Sequence, residues 1–289
     1  MAEIIQRDGT WTFDGDTLRL VPGHDKSVGL LRKTLGELEV PVTALAGISF
    51  EQGKKQGRLR LRLREGADPL TQVTGGSLAD GADPYRLSVD SDRRGVAEYF
   101  VDEVRNAHLL EQVPAGPCTS YLLAGPAVPL SVSAGDGTAS FDGERVRLEW
   151  KWTTEEAKAA AGTRTIALDE IEGVEWQPSA GLENGYLRFR VRGATTEAPP
   201  KYDPNAVDLF GFKKDPLMSL IAAAVQARLP HPAAAAAGPE PVNSLDASPA
   251  GDDHDVLLRR LRELGELHKT GILTDEEFTL AKQAVLKRL

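Results

Sequence analysis

The chain has 289 residues, with 34 Lys and Arg against 43 Asp and Glu for a formal charge of −9, and a single Cys. This composition excludes a disulfide-stapled secreted domain, a Cys-rich zinc module and a collagen-like chain, and the acidic balance opposes non-specific nucleic-acid binding. A hydrophobic fraction of 41% suffices for ordinary cores, and at roughly 150 residues per domain the length suggests about two domains.

The N-terminus has no basic segment followed by an apolar one, so no signal peptide is expected. The weakly polar stretches at 121–132 and 217–229 fall short of the about 20 residues that cross a bilayer, and a cytoplasmic protein is the expectation. An internal repeat then organises the chain. Residues 8–20, DGTWTFDGDTLRL, return at 136–148 as DGTASFDGERVRL, and 57–64, GRLRLRLR, return at 185–192 as GYLRFRVR, both at an offset of 128. Between them, 45–50 matches 171–176 at an offset of 126. These matches imply one domain twice, at 5–110 and at 111–230 with the second core from about 130.

Each copy opens with a segment meeting Asp14-Gly15 or Asp142-Gly143, which predicts a type I′ hairpin turn. Alternating strands follow at Leu18 and Leu20, and at Val146, Leu148 and Trp150, with further strands near 40–43, 45–51, 58–64 and 85–89. Each copy closes with a helix. Val96, Phe100 and Val104 form its stripe in the first. In the second, Asp215 is the expected N-cap and Pro216 the first helical residue, followed by Leu217, Ile221 and Val225. Strands first and one helix last predict an α+β fold with antiparallel strands.

Arg58, Arg60, Arg62 and Arg64 alternate with leucines, so the strand period of two places all four guanidinium groups on one face. Arg188, Arg190 and Arg192 repeat the pattern. Such forks match phosphate and carboxylate oxygens, making the two strands a candidate anion or partner face. The reading favoured here is a solvated sheet face, paired across strands with carboxylates such as Glu37, Glu39, Glu51, Glu172 and Glu175.

From 231 to 252 a Pro- and Ala-rich stretch reads as a flexible linker. Residues 253–289 read as a helical hairpin. Leu257, Leu261, Leu264 and Leu267 form a stripe, and Gly271 ends the first helix with Leu267 and Ile272 in contact. Thr274 to Glu277 form a capping box, Leu273 and Phe278 a staple, and Ala281, Val285 and Leu289 continue the inner face. A hairpin this short is not stable alone. Its leucine face needs a partner: another copy, the first choice, or its own repeats, or a different protein.

Catalytic constellations are not found. His24, His108, His231, His254 and His268 are scattered, Cys118 lacks an assigned base, and no Gly-x-Ser-x-Gly or phosphate-cradling glycine loop occurs. Asp8-Gly9-Thr10 and Asp136-Gly137-Thr138 read as turn chemistry, and the spacing of Asp8, Asp14 and Asp16 is not that of a calcium loop. Trp11, Trp150, Trp152 and Trp176 are expected in the core or at sheet edges. No metal or other cofactor is expected.

The segment 264–278, LGELHKTGILTDEEF, resembles the bacterial short C-terminal domain called SHOCT. The tandem copies, with their Phe-Asp-Gly opening and Gly-x-Leu-Arg-x-Arg strand, resemble an uncharacterised actinobacterial domain family found upstream of SHOCT. The resemblance implies a pleckstrin-homology-like (PH-like) fold in each copy and an oligomerisation or interaction role for the hairpin. The expected function is a non-enzymatic scaffold, with tandem modules for a protein or peptide partner and a hairpin that self-associates or docks. The alternative is a peripheral binder of anionic lipid through the arginine strands. Nucleic acid is not an expected partner.

Overall fold

The computed structural model describes residues 1–152, 154–194 and 198–233. The linker beyond Ala233 and the whole hairpin, with Leu257, Leu261, Leu264, Leu267, Ile272, Phe278 and Val285, lie outside the described residues.

In the first repeat, β1 (Ala2–Gln6), β2 (Gly9–Phe13), β3 (Thr17–Pro22) and β4 (Leu38–Pro41) form one antiparallel sheet in chain order. A second sheet contains β5 (Leu45–Glu51), β6 (Gln56–Leu63) and β7 (Arg86–Asp90). Short helices α1 (Leu30–Leu35) and α2 (Pro69–Thr74) interrupt the strands, and α3 (Arg94–Leu110) closes the repeat. Alternation turns Trp11, Leu18, Leu20, Leu59, Leu61 and Leu87 inward, where Phe100 and Val104 of α3 complete one core. Each such side chain contributes about 1.5–3 kcal/mol by leaving water.

The second repeat has the same order: β8 (Leu130–Ala134), β9 (Gly137–Phe141), β10 (Arg145–Trp150), α4 (Glu156–Ala161) and β11 (Arg164–Ala167). There follow β12 (Ile171–Gln177), β13 (Gly185–Val191), β14 (Ala206–Leu209) and α5 (Met218–Gln226). Its sheets run β11-β10-β9-β8 and β12-β13-β14. The fold is α+β.

Several local expectations are corrected. At Asp14 and Asp142 the hairpin is not type I′, which needs positive φ at both central residues; only Gly15 (φ 125) and Gly143 (φ 113) have it. Instead the aspartate folds back as an Asx turn. One Asp14 oxygen accepts N–H bonds from Asp16 (3.0 Å) and Thr17 (2.8 Å), and one Asp142 oxygen from Glu144 (2.8 Å) and Arg145 (2.7 Å). These bonds hold both carboxyls below the ordinary range. Asp215 does not cap its helix: its carboxylate accepts from Gly211 N–H (2.7 Å) and Phe212 N–H (3.0 Å) in the preceding loop. Of the four tryptophans, Trp11 and Trp176 are buried and Trp150 is half-buried, but Trp152 is exposed.

The closing helices differ. α3 is amphipathic, with Tyr99, Leu109 and Leu110 exposed, whereas Met218 to Val225 of α5 are buried on every side. The cause is α2, which packs on α5 and carries Leu70 into the core of the second repeat, together with Leu31, Leu78 and Ala82. A helix enclosed all round must be apolar all round. Both repeats accordingly fall in one compact unit. Asp68 builds α2: its oxygens accept from Leu70 N–H (3.1 Å) and Thr71 N–H (2.8 Å), Pro69 opens the helix and Gly75 (φ 54) ends it. The Tyr85 hydroxyl donates to the same carboxylate at 2.8 Å. Burial, reinforced by the Asp68 charge, pushes the Tyr85 phenol well above its ordinary range.

Candidate functional site

Matched aspartates sit at the centre of each repeat. Asp8 lies in the two-residue turn between β1 and β2, and its carboxylate accepts from Ser88 N–H of β7 at 3.0 Å. Asp136 does the same for Asp208 N–H of β14 at 2.8 Å. Each aspartate ties the two sheets of its repeat together. Each also meets a buried cation from the short helix: Arg32 of α1 stands 3.6 Å from Asp8 and Lys158 of α4 stands 2.7 Å from Asp136. Burial draws the Arg32 guanidinium below its ordinary range, and the Asp8 charge opposes the shift. Turn chemistry therefore holds for the location of these aspartates but omits their main work. Arg32 and Lys158 carried no signal in the sequence, because an exposed cation on a short helix reads the same way.

The arginine strands divide into two unequal sets. In β13, Arg188 Nε stands 3.0 Å from buried Asp203, and its Nη2 donates to Ala198 C=O at 2.7 Å. Arg190 meets Glu175 and Arg192, just beyond β13, meets Glu172, each at 3.4 Å. The expected carboxylates Glu172 and Glu175 thus face this strand. In the first repeat the partners are others. Glu37 is engaged by Arg19, Arg58 pairs with Asp80 at 2.7 Å, and Arg64 donates to the carbonyls of Gly116 and Thr43 at 2.9 and 3.0 Å. Arg64 therefore fastens the inter-repeat connector rather than facing a ligand. Arg60 and Arg62 remain exposed, with no ion-pair partner among the described residues.

These two arginines line a cleft of about 240 Å³ with Leu63, Leu70 and Leu78. It opens where β6 and β7 part: the ladder ends at Arg60 opposite Arg86, and one further bond, from Leu61 N–H to Tyr85 C=O at 2.9 Å, precedes Arg62 and Leu63. The carboxylate on its wall, Asp83, is held by Arg86 at 2.8 Å and by Tyr85 N–H at 3.0 Å. The cleft therefore offers two free guanidinium forks beside apolar walls, a setting for a carboxylate or phosphate oxygen next to an apolar group. A signal for α2, which forms one wall, was present in the sequence: Asp68-Pro69 and Gly75 bracket it as cap, first residue and stop.

Among the described residues no three His, Cys, Asp or Glu gather as a metal site, and no helix is long and apolar enough to cross a membrane. No curated protein matches the chain. A family model does match, over residues 11–105 and again over 139–226, the same two stretches that carry the repeated strands and closing helices. The chain therefore belongs to the family described as a domain of unknown function, DUF4429, of which it holds two tandem copies.

Proposed function

We propose that this protein is a non-enzymatic binding scaffold. Its first repeat receives an acidic segment of a protein partner at Arg60 and Arg62, and its C-terminal SHOCT-like hairpin drives assembly. The observation that supports this is the unequal use of matched arginines: each of those in the second repeat has a carboxylate partner, buried for Arg188 and at the surface for Arg190 and Arg192, while Arg60 and Arg62 line an open cleft. At about 240 Å³ the cleft is smaller than the roughly 300–1,000 Å³ typical of small-molecule sites and suits one or two side chains. Four strands, three strands and a closing helix fit a PH-like reading of each repeat. The interior charges Asp8, Arg32, Asp136 and Lys158 join elements of the fold, which favours binding over catalysis. A lipid role for the arginine strands has less support, because Glu172 and Glu175 offset the positive charge of the second strand.

Light scattering of the full chain against a chain ending at Pro230 tests assembly. A larger mass for the full chain is expected, and equal monomeric masses defeat the idea. Calorimetric titration with a peptide of alternating Glu and Leu tests the cleft. Arg60→Gln with Arg62→Gln is expected to abolish binding, and Arg190→Gln with Arg192→Gln to preserve it.

A further inference from the structure

Two loops at one end of the second repeat expose apolar side chains that the fold does not use. Between β14 and α5, Phe210 is 38% and Phe212 65% exposed, their rings edge to face at 6.2 Å. Between β12 and β13, Leu182 is fully exposed at the tip of a tight turn closed by reciprocal bonds between Ala180 and Glu183 (3.0 and 2.9 Å). The loops are neighbours, since Ser179 Oγ donates to Leu209 C=O at 3.1 Å. They are also held in shape. Asp215 accepts both the Gly211 and Phe212 N–H groups, and Gly211 takes φ 84, open to glycine at little cost. Lys213 and Lys214 follow directly, both exposed and without an ion-pair partner among the described residues. Glu183 and Asn184, both exposed, are the other polar side chains of the tip, and Asn184 donates to Asp208 at 2.8 Å.

The first repeat shows that the module does not need this surface. Its β5–β6 loop is Gln52-Gly53-Lys54-Lys55, and β7 passes to α3 through Ser91-Asp92-Arg93, polar throughout. We infer that the tip formed by Phe210, Phe212 and Leu182 is a membrane-contact site, in which the apolar side chains enter the interface of an anionic bilayer and Lys213 and Lys214 meet its lipid phosphates. Aromatic rings at the headgroup boundary, flanked by basic residues, are the chemistry of such anchors. Preorganisation of the Gly211–Phe212 backbone by Asp215 lowers the ordering cost. With a net charge of −9 the protein as a whole is repelled by anionic lipid, so attachment depends on the apolar side chains. This surface is separate from the Arg60–Arg62 cleft and stands without the proposed partner binding.

Co-sedimentation of the full chain with vesicles of equal phosphatidylcholine and phosphatidylserine tests it. Retention is expected, with at least about a ten-fold loss on Phe210→Ser with Phe212→Ser. Arg60→Gln with Arg62→Gln should leave retention unchanged. A second arm uses Phe212→Trp, whose added fluorescence should be quenched by brominated acyl chains. No retention, or retention equal in the Phe→Ser variant, overturns the inference. So does retention lost only in the arginine variant, which would return the lipid role to the cleft. Thermal melting confirms that each variant folds. Failure here leaves the mass and peptide measurements of the scaffold reading untouched.

Discussion

The Lys158 ammonium lies 2.7 Å from the Asp136 carboxylate, and both side chains are sealed from water. The aspartate also accepts the Asp208 N–H, so a single carboxylate joins the β8–β9 turn, α4 and β14. A pair of this kind is costly to break, because removing one partner strands the other charge in the interior. Lys158→Met should therefore lower stability by about 3–5 kcal/mol in urea unfolding, with part of the loss restored by adding Asp136→Asn. Arg32→Met should cost less, since the Asp8 carboxylate stands 3.6 Å from the guanidinium and is 11% exposed, the closer bond, at 2.9 Å, being to the Asp8 backbone C=O.

Asp208 is a buried carboxylate whose pKa is raised, first by burial and then by the neighbouring Asp136 charge, despite a bond from Asn184 at 2.8 Å. A carboxyl raised in the folded state favours folding while protonated. Its contribution is lost as pH rises from the ordinary value of 3.8 through the folded value. Asp208→Asn keeps an acceptor for Asn184 and carries no charge. It should raise the melting temperature at neutral pH, and the gain should vanish in acid. A gain independent of pH would contradict this.

The matched arginines should separate in stability as well as in binding. Arg188→Gln leaves Asp203, which is 1% exposed, without its cation and should cost about 3 kcal/mol. Arg60→Gln removes an exposed, unpaired group and should change stability by less than about 0.5 kcal/mol. Chemical denaturation of the two single variants compares them directly.

Ile221 lies in α5, enclosed between the sheets of its own repeat and α2 of the other. Ile221→Ala should cost about 2–5 kcal/mol through lost burial and the cavity left behind. Tyr99→Ala on α3, a side chain 54% exposed, should stay within about 0.5 kcal/mol. Equal losses at the two positions would mean that α3 has an uncounted partner.

Much of the architecture was legible because period and register are local properties. The offset of 128 located two copies, the alternation at 58–64 and 185–191 located β6 and β13, and the spacing of Phe100 and Val104 located α3. Turn details were not legible. Asp14-Gly15 fits two turn types, and the side-chain bonds to Asp16 and Thr17 N–H decided between them. The same ambiguity misplaced Asp215, whose carboxylate turns back to Gly211 and Phe212.

For this protein the sequence alone determined a duplicated α+β module, the inward and outward faces of its strands, and a mildly acidic chain with a single cysteine. Only the tertiary structure decided which arginines are free. Arg60 and Arg190 look alike in the chain, and what separates them is whether a carboxylate such as Glu175 reaches the guanidinium across the sheet. It also decided that Asp136 meets Lys158, 22 residues on, and that α5 is covered by a helix from the other repeat. These are contacts between distant segments, and no local period encodes them. Their energy depends on the water excluded where the segments meet, and that exclusion exists only once the chain has folded.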